Sequence, residues 1–294
     1  MLGDTSMDPQ YVLITAARNE EKYIPKTIEA VISQTIKPLK WIIVSDRSTD
    51  NTDNIVINAA KHVNFIELVS LRGDDKRNFG SQVRAINKGY EYVHGLKYNF
   101  IGNLDADVSF EPRYFELLFQ KFSNNDTLGL CGGFICEEKN GEFVGRPTNN
   151  LRSVPHAIQM FRRECFEGIG GYIPLKYGGP DWCAEVMARM KGWEVSSFED
   201  MRVLHHRPTT SAEGYYRGRF RSGLMDYSMG SHPLFEIIKC FSRVRSRPII
   251  IGSILRLIGY MYGYLKRETR LVPEEVTKYL RLEQVSRIKK LLYL

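Results

Sequence analysis

Several kinds of segment are missing from this chain. No G-x-G-x-x-G follows its first apolar run, and no G-x-x-x-x-G-K-[ST] occurs in its 294 residues. A hydride-transfer or P-loop reading therefore lacks its usual phosphate cradle. Cysteine is sparse: residues 131, 136, 165, 183 and 240 are an odd set without a close paired framework. That usage implies free thiols in a reducing, cytoplasmic setting. Cys131 and Cys136 do not make a zinc box, because the spacing is wrong and no partner pair follows. Asn140-Gly141 beside them signals a tight hairpin turn. Residues 1–10 are polar and acidic, without a basic-then-apolar leader. Long apolar runs are missing as well. The run 248–265 is shorter than the ~20 residues a bilayer span takes, and Arg256 interrupts it. There is no internal repeat and no low-complexity linker.

What is present is enough for a core, with 43% hydrophobic residues. A net charge of +7 points to an anionic partner. Nucleic acid, an anionic membrane and a nucleotide all qualify. The apolar runs Tyr11–Thr15, Trp41–Val44, Phe65–Val69 and Phe100–Leu104 read as buried strands. Between them lie helical patterns: Ile24, Ile28, Val31 and Ile32, then Ile55, Val56 and Ala59, then Gly80 to Val93. A further helix starts near Pro112. Strands alternating with helices predict an α/β fold, with a mostly parallel, Rossmann-like sheet flanked by helices. In such sheets ligands bind beyond the carboxyl ends of the strands. Three polar, acid-bearing segments fall there: 16–21, 45–52 and 105–109.

The third segment carries the sharpest chemistry. The strand Phe100–Leu104 runs into Asp105-Ala106-Asp107. In extended backbone, residues two apart point to the same side. Two carboxylates so placed repel each other unless a cation lies between them. Oxygen ligands of this kind suit Mg2+ or Mn2+, with substrate phosphates completing the shell. The plainer alternative is a solvated turn that contains two aspartates.

Six motifs in chain order resemble family 2 glycosyltransferases of the GT-A type. They are Thr15-Ala-Ala-Arg-Asn19-Glu20-Glu21; Ile43 to Thr52 around Asp46; Asn78-Phe-Gly80 through Asn87-Lys-Gly89; Leu104-Asp105-Ala106-Asp107; Phe161-Arg162-Arg163 through Gly170-Gly171-Tyr172; and Gly179-Pro180-Asp181 through Gly192-Trp193. The resemblance covers residues 11 to about 207. Three positions depart from the pattern. Ser45 stands where the family usually has Asp, Arg47 where it has Gly, and Pro180 where it has the Glu of a Glu-Asp pair.

The resemblance implies a metal-dependent enzyme that moves a sugar, with inversion, from a nucleotide-sugar donor to a saccharide or lipid-linked acceptor. It implies that Asp107, with Asp105, holds the metal. Thr15, Glu20, Asp46, Arg77 and Asp105 would line the donor pocket, and Asp181 would be the general base. An aspartate at the start of a helix can also serve as a cap. His205 and His206 follow Val203-Leu204, and the sequence does not distinguish them. One is expected as a third metal ligand or a phosphate contact, or else they are one buried and one exposed histidine at a strand end. Two rivals stand beside this reading. A catalytically silent nucleotide-binding member of the fold would account for the three departures. A nucleotidyltransferase would need a Gly-rich loop after the first strand, and Ala16 to Glu21 contains no Gly.

Residues 1–210 are thus expected to be the catalytic domain, and 211–294 a helical, basic, apolar extension. In the extension Arg217, Arg219, Arg221, Lys239, Arg243, Arg245 and Arg247 interleave with Phe220, Phe235 and Phe241. Residues 248–265 fit an interfacial helix on an anionic membrane surface, which would make the protein peripheral at the inner face of the membrane. A core or oligomer helix is the alternative. No nucleic-acid recognition motif accompanies the arginines, so no nucleic acid is expected as a partner. Pro273 to Leu294 reads as an amphipathic helix.

Overall fold

The computed structural model describes residues 9–73, 79–207, 214–243 and 250–292. Within them, nine strands form one sheet in the order β3-β2-β1-β4-β8-β6-β9-β5, with β7 paired to β6. The first four strands are β1 (Tyr11–Ala17), β2 (Lys40–Asp46), β3 (Ile66–Leu71) and β4 (Phe100–Leu104). Their pairings are all parallel, as the alternating pattern predicts. The helices α1 (Ile24–Ile32), α2 (Thr52–Ala60) and α3 (Phe79–Tyr90) are the crossovers.

Beyond β4 the sheet is mixed. The strands β5 (Val108–Phe110), β6 (Leu128–Lys139), β7 (Glu142–Gly145), β8 (Ile158–Arg162) and β9 (Glu194–His205) make both parallel and antiparallel pairs. The β6–β7 turn falls at Asn140-Gly141, where Asn140 has φ 55° and Gly141 φ 84°. All five cysteines are free and buried.

Period-two alternation sorts the strand residues onto two covered faces. Tyr11, Leu13, Trp41 and Ile43 join one apolar cluster, together with Phe115, Leu118, Phe119 and Phe122 of α4 (Tyr114–Ser123). Val12, Ile14, Ile42 and Val44 join the other, with Val83 and Ile86 of α3. This second face is also covered by α5 (Arg163–Gly168), by α6 (Pro180–Met190) and by Val276 and Leu280 of α10 (Glu274–Leu292). The C-terminal helix α10 therefore shares a core with the sheet. A sheet covered on both faces explains why its central strands read as continuous apolar runs.

The remaining helices are α7 (Tyr215–Ser228), α8 (Pro233–Ser242) and α9 (Ile251–Leu265). Helices α7 and α9 approach backbone to backbone. A Cβ at Gly223 would lie 1.9 Å from the Arg256 carbonyl oxygen, and one at Gly259 would lie 2.0 Å from that of Phe220. Only glycine fits at such a crossing. Arg256 does not interrupt an interfacial face. It points inward, where its Nη2 meets Asp226 Oδ2 at 2.6 Å and its Nε donates to Glu236 Oε1 at 3.0 Å. Lys239 Nζ donates to Asp226 Oδ1 at 2.7 Å and to Glu236 Oε2 at 3.3 Å. Asp226 and Glu236 are fully buried. Two acids and two bases thus neutralise one another between three helices.

Removing one partner from such a group strands a buried charge. The Arg256→Met substitution should cost roughly 3–5 kcal/mol of stability, measured by urea unfolding. A loss below ~1 kcal/mol, the size ordinary for an exposed ion pair, would show that the pairing is not buried in solution.

Candidate functional site

The parallel order β2-β1-β4 places three loop starts side by side at the carboxyl end of the sheet. The loops after β1 and β2 are locked together by side chains. Thr49 N–H donates to Asn19 Oδ1 at 2.8 Å, and Asn19 N–H donates to Ser48 Oγ at 3.2 Å. Glu20 N–H donates to Thr52 Oγ1 at 2.8 Å. Glu21 N–H donates to Asp50 Oδ2, and Asn51 N–H donates to Glu21 Oε2. The polar residues between strand and helix are thus each other's hydrogen-bond partners, and Glu20 is left facing inward.

Asp105 and Asp107 stand at the end of β4, and strand register supplies the third group. Val108 of β5 lies opposite His205 of β9, and His206 N–H donates to the Asp107 carbonyl at 2.9 Å. His205 therefore lies over the two aspartates, with its Nε2 3.4 Å from Asp107 Oδ1. One ligand atom each from Asp105, Asp107 and His205 fall within 4.8 Å of one another. His206 is turned aside, its Nε2 2.8 Å from Ser109 Oγ. Burial pushes its pKa down.

The electrostatics split the aspartate pair. Burial pushes Asp107 up, Asp105 adds to this, and the carboxyl rises to about 6 despite His205 and Arg207. Burial also opposes the charge on Asp105, but hydrogen bonding and charge from His156, with His205 and Arg146, outweigh it and hold that carboxyl low. Glu20 is pushed up to about 7 by burial, with Arg207 working against it. Arg207 bridges the two sites, bonded to Glu20 Oε2 and 3.4 Å from Asp107 Oδ2. Asp107 Oδ1 and His205 Nδ1 are buried without a hydrogen-bond partner. Mixed carboxylate and imidazole donors with an unsatisfied buried oxygen fit a divalent cation.

The other expected residues are placed differently. Asp46 is buried and flanked by Arg47 Nη1 at 2.6 Å and Arg18 Nη1 at 3.6 Å. Thr15 is fully buried, and its hydroxyl accepts from the Trp41 indole at 2.9 Å. Arg77 lies outside the described residues. Asp181 is in the first turn of α6 but is not its cap. Gly179 takes the N-cap position with φ 83°, and Pro180 follows at the helix start.

Sequence reasoning missed His156, Gln82 and Arg207. His156 Nδ1 lies 3.3 Å from Asp105 Oδ1, and Gln82 Nε2 donates to the same oxygen at 2.9 Å. His156 also feels the charge of Asp181. Arg207 follows the His205-His206 pair directly and could have been found by extending that strand end. His156 and Gln82 carry no local signal, since only tertiary pairing brings them to Asp105.

The family model for glycosyl transferase family 2 matches residues 12–176. The chain belongs to glycosyl transferase family 2. An uncharacterised glycosyltransferase of Haemophilus influenzae is 28% identical over 127 residues, which is 43% of this chain and 37% of that protein. The glucosyl-dolichyl phosphate glucuronosyltransferase of Haloferax volcanii is 24% identical over 187 residues, 56% of each chain. The chain thus spans less than two-thirds of either relative. Among solved structures, it is similar to the mannosyltransferase PcManGT of Pyrobaculum calidifontis, in complex with GDP-Man and Mn2+. The TM-score is 0.58 at 16% identity, over 98% of this chain and 88% of that one. This likeness identifies the fold, a GT-A α/β sheet followed by C-terminal helices.

A cation that binds only the folded state must stabilise it. Titrating Mn2+ or Mg2+ should raise the melting temperature of the protein, and the Asp107→Asn substitution should remove most of that rise. Without metal the variant should melt no lower than the parent, because the amide ends the repulsion from Asp105. An equal metal response in both proteins would remove Asp107 from the site.

Proposed function

We propose that this chain transfers a sugar from a nucleotide-sugar donor to a saccharide or lipid-linked acceptor, with inversion, using Mg2+ or Mn2+. The observation that carries the reading is the Asp105, Asp107 and His205 cluster beyond the carboxyl end of β4. Family membership and the Haloferax volcanii relative, named for a glucosyl-dolichyl phosphate substrate, support the sugar-transfer and lipid-linked parts of it.

The family pattern supports the following roles. Asp105, Asp107 and His205 would hold the cation. When bound, it supplies Lewis-acid neutralisation of the donor's diphosphate. Asp46, fixed between two arginines, meets the base or ribose. Glu20 faces the same pocket, whereas Thr15, fully buried with its hydroxyl on the Trp41 indole, supports the wall from within β1 rather than lining it. Arg77, outside the described residues, is assigned to the diphosphate only from its place before Asn78-Phe-Gly80 in the sequence. Arg207 keeps a positive charge between Glu20 and Asp107 whether or not a donor is present.

Asp181 is the base. Its carboxylate takes the proton of the acceptor hydroxyl as that oxygen attacks the anomeric carbon. The bond from that carbon to the donor phosphate breaks, and its electron pair leaves on the phosphate oxygen. The charge falls where the arginines and the cation ligands lie. His156 lies against Asp105 and also feels the charge of Asp181.

The three departures from the family pattern are compatible with chemistry. Arg47 keeps the left-handed backbone usual for the Gly at its position, with φ 57°. Ser45 hydrogen-bonds Ser48 at 2.9 Å inside the loop. Pro180 suits a first helical position and leaves Asp181 in the first turn.

Screening nucleotide sugars by metal-dependent thermal stabilisation identifies the donor. With that donor, the Asp181→Asn substitution should leave donor affinity unchanged and lower transfer of order 10²–10⁴-fold, the range of a general-base contribution. Near-normal turnover in the variant would dismiss Asp181 as the base. Donor binding without transfer or hydrolysis by the parent protein would favour the silent-binder reading.

A further inference from the structure

Helix α9 has two faces of opposite character. The inward face carries Gly252, Arg256, Gly259, Tyr260 and Gly263, all buried. The outward face carries Ile251, Ile254, Ile258, Met261 and Leu265, which are 50–80% exposed. Their spacing of three and four residues puts them on one stripe. Helix α8 repeats the arrangement. Glu236 and Cys240 are buried, while Leu234, Ile237 and Phe241 are exposed, Phe241 to 74%. Scattered exposed hydrophobics are ordinary, but ordered stripes on two helices that pack together are not.

Acids are scarce in this part of the sequence. Between residues 215 and 267 the sequence contains only two acids, Asp226 and Glu236. Both are buried and neutralised by Arg256 and Lys239. The other basic residues of the segment are Arg217, Arg219, Arg221, Arg243, Arg245, Arg247, Lys266 and Arg267. The internal network thus removes both acids of residues 215–267 from the surface, while Arg243 beyond α8 and Lys266 and Arg267 beyond α9 stay exposed at the ends of the stripes.

We propose that the outward faces of α8 and α9 form a docking surface for an anionic lipid bilayer, lying in the interface without crossing it. No helix among the described residues is long and apolar enough to span a membrane. An apolar stripe with cationic surroundings supplies both terms of interfacial binding: buried apolar area and attraction to headgroups. The same stripe spacing would serve a helix seam with a second copy of the chain. A two-fold dimer, however, puts each patch against its own image and would face one cationic rim with another. An anionic surface complements that rim.

The buried network beneath this surface reaches α6. Lys239 Nζ lies 5.6 Å from the centre of the Trp182 ring, next to Asp181. The surface does not rest on the catalytic reading, and the two fail separately.

The test uses the full chain and sedimentation with vesicles of phosphatidylcholine, with and without phosphatidylglycerol. Binding is expected to the anionic vesicles, weakening as salt rises, with little to the neutral ones. The double substitution Ile254→Ser and Ile258→Ser should weaken that binding by ~10-fold or more. Its melting temperature and nucleotide affinity should match the parent's, since both side chains point away from the core. Equal binding by parent and variant would overturn the proposal, as would no binding by either. A dimer in light scattering that the double substitution dissociates would overturn it too and assign the face to a second copy.

Discussion

Two carboxylates one residue apart, at the end of a buried strand, repel each other, and much of this molecule is arranged around that repulsion. Burial alone would drive both toward the neutral form. Instead His156 and Gln82 approach Asp105, while His205 and Arg207 approach Asp107. These four residues come from a helix, a loop and the end of β9. The folded chain therefore spends long-range contacts on a site that local sequence would leave unstable. Even so, Asp107 retains a buried oxygen without a hydrogen-bond partner and a carboxyl raised to about 6. A divalent cation would complete that balance.

The parts legible in the sequence are those set by local periodicity. The strands β1 to β4 and their crossover helices follow from alternating apolar runs, and so does the placing of three acid-bearing loops at one sheet end. Asn140-Gly141 announced the β6–β7 hairpin because its turn needs positive φ. The choice between His205 and His206 was not legible. It depends on the register of β5 against β9, which is fixed by strands almost a hundred residues apart. One residue of slip would exchange the two side chains between faces. His156 was invisible for the same reason.

Arg256 gives the complementary lesson. In an apolar run, a single arginine looks like an interruption or a membrane anchor. Its actual partners, Asp226 and Glu236, lie 30 and 20 residues earlier, on other helices. Composition alone sets those acids against the basic residues of the same segment. The fold instead hides them together with Arg256 and Lys239. The charge presented outward is therefore more uniformly positive than the composition suggests, and the stripe on α9 is uninterrupted.

The departures from the family pattern show which features the backbone demands and which it merely permits. Where the pattern has Gly, Arg47 adopts φ 57°, a conformation that costs an L-residue roughly 1–2 kcal/mol. Its guanidinium meets Asp46 at 2.6 Å, so the strained residue clamps the carboxylate expected at the nucleotide. The turn geometry is kept while the side chain acquires a role that glycine could not have. At the start of α6 the pattern's side chain is lost and the backbone geometry is kept by other residues. Gly179 takes the left-handed cap and proline fills the position that needs no N–H donor. Glycine offers no capping side chain, and Asp181 stands in the first turn without being the N-cap. That arrangement leaves its carboxylate available for the proposed role as base.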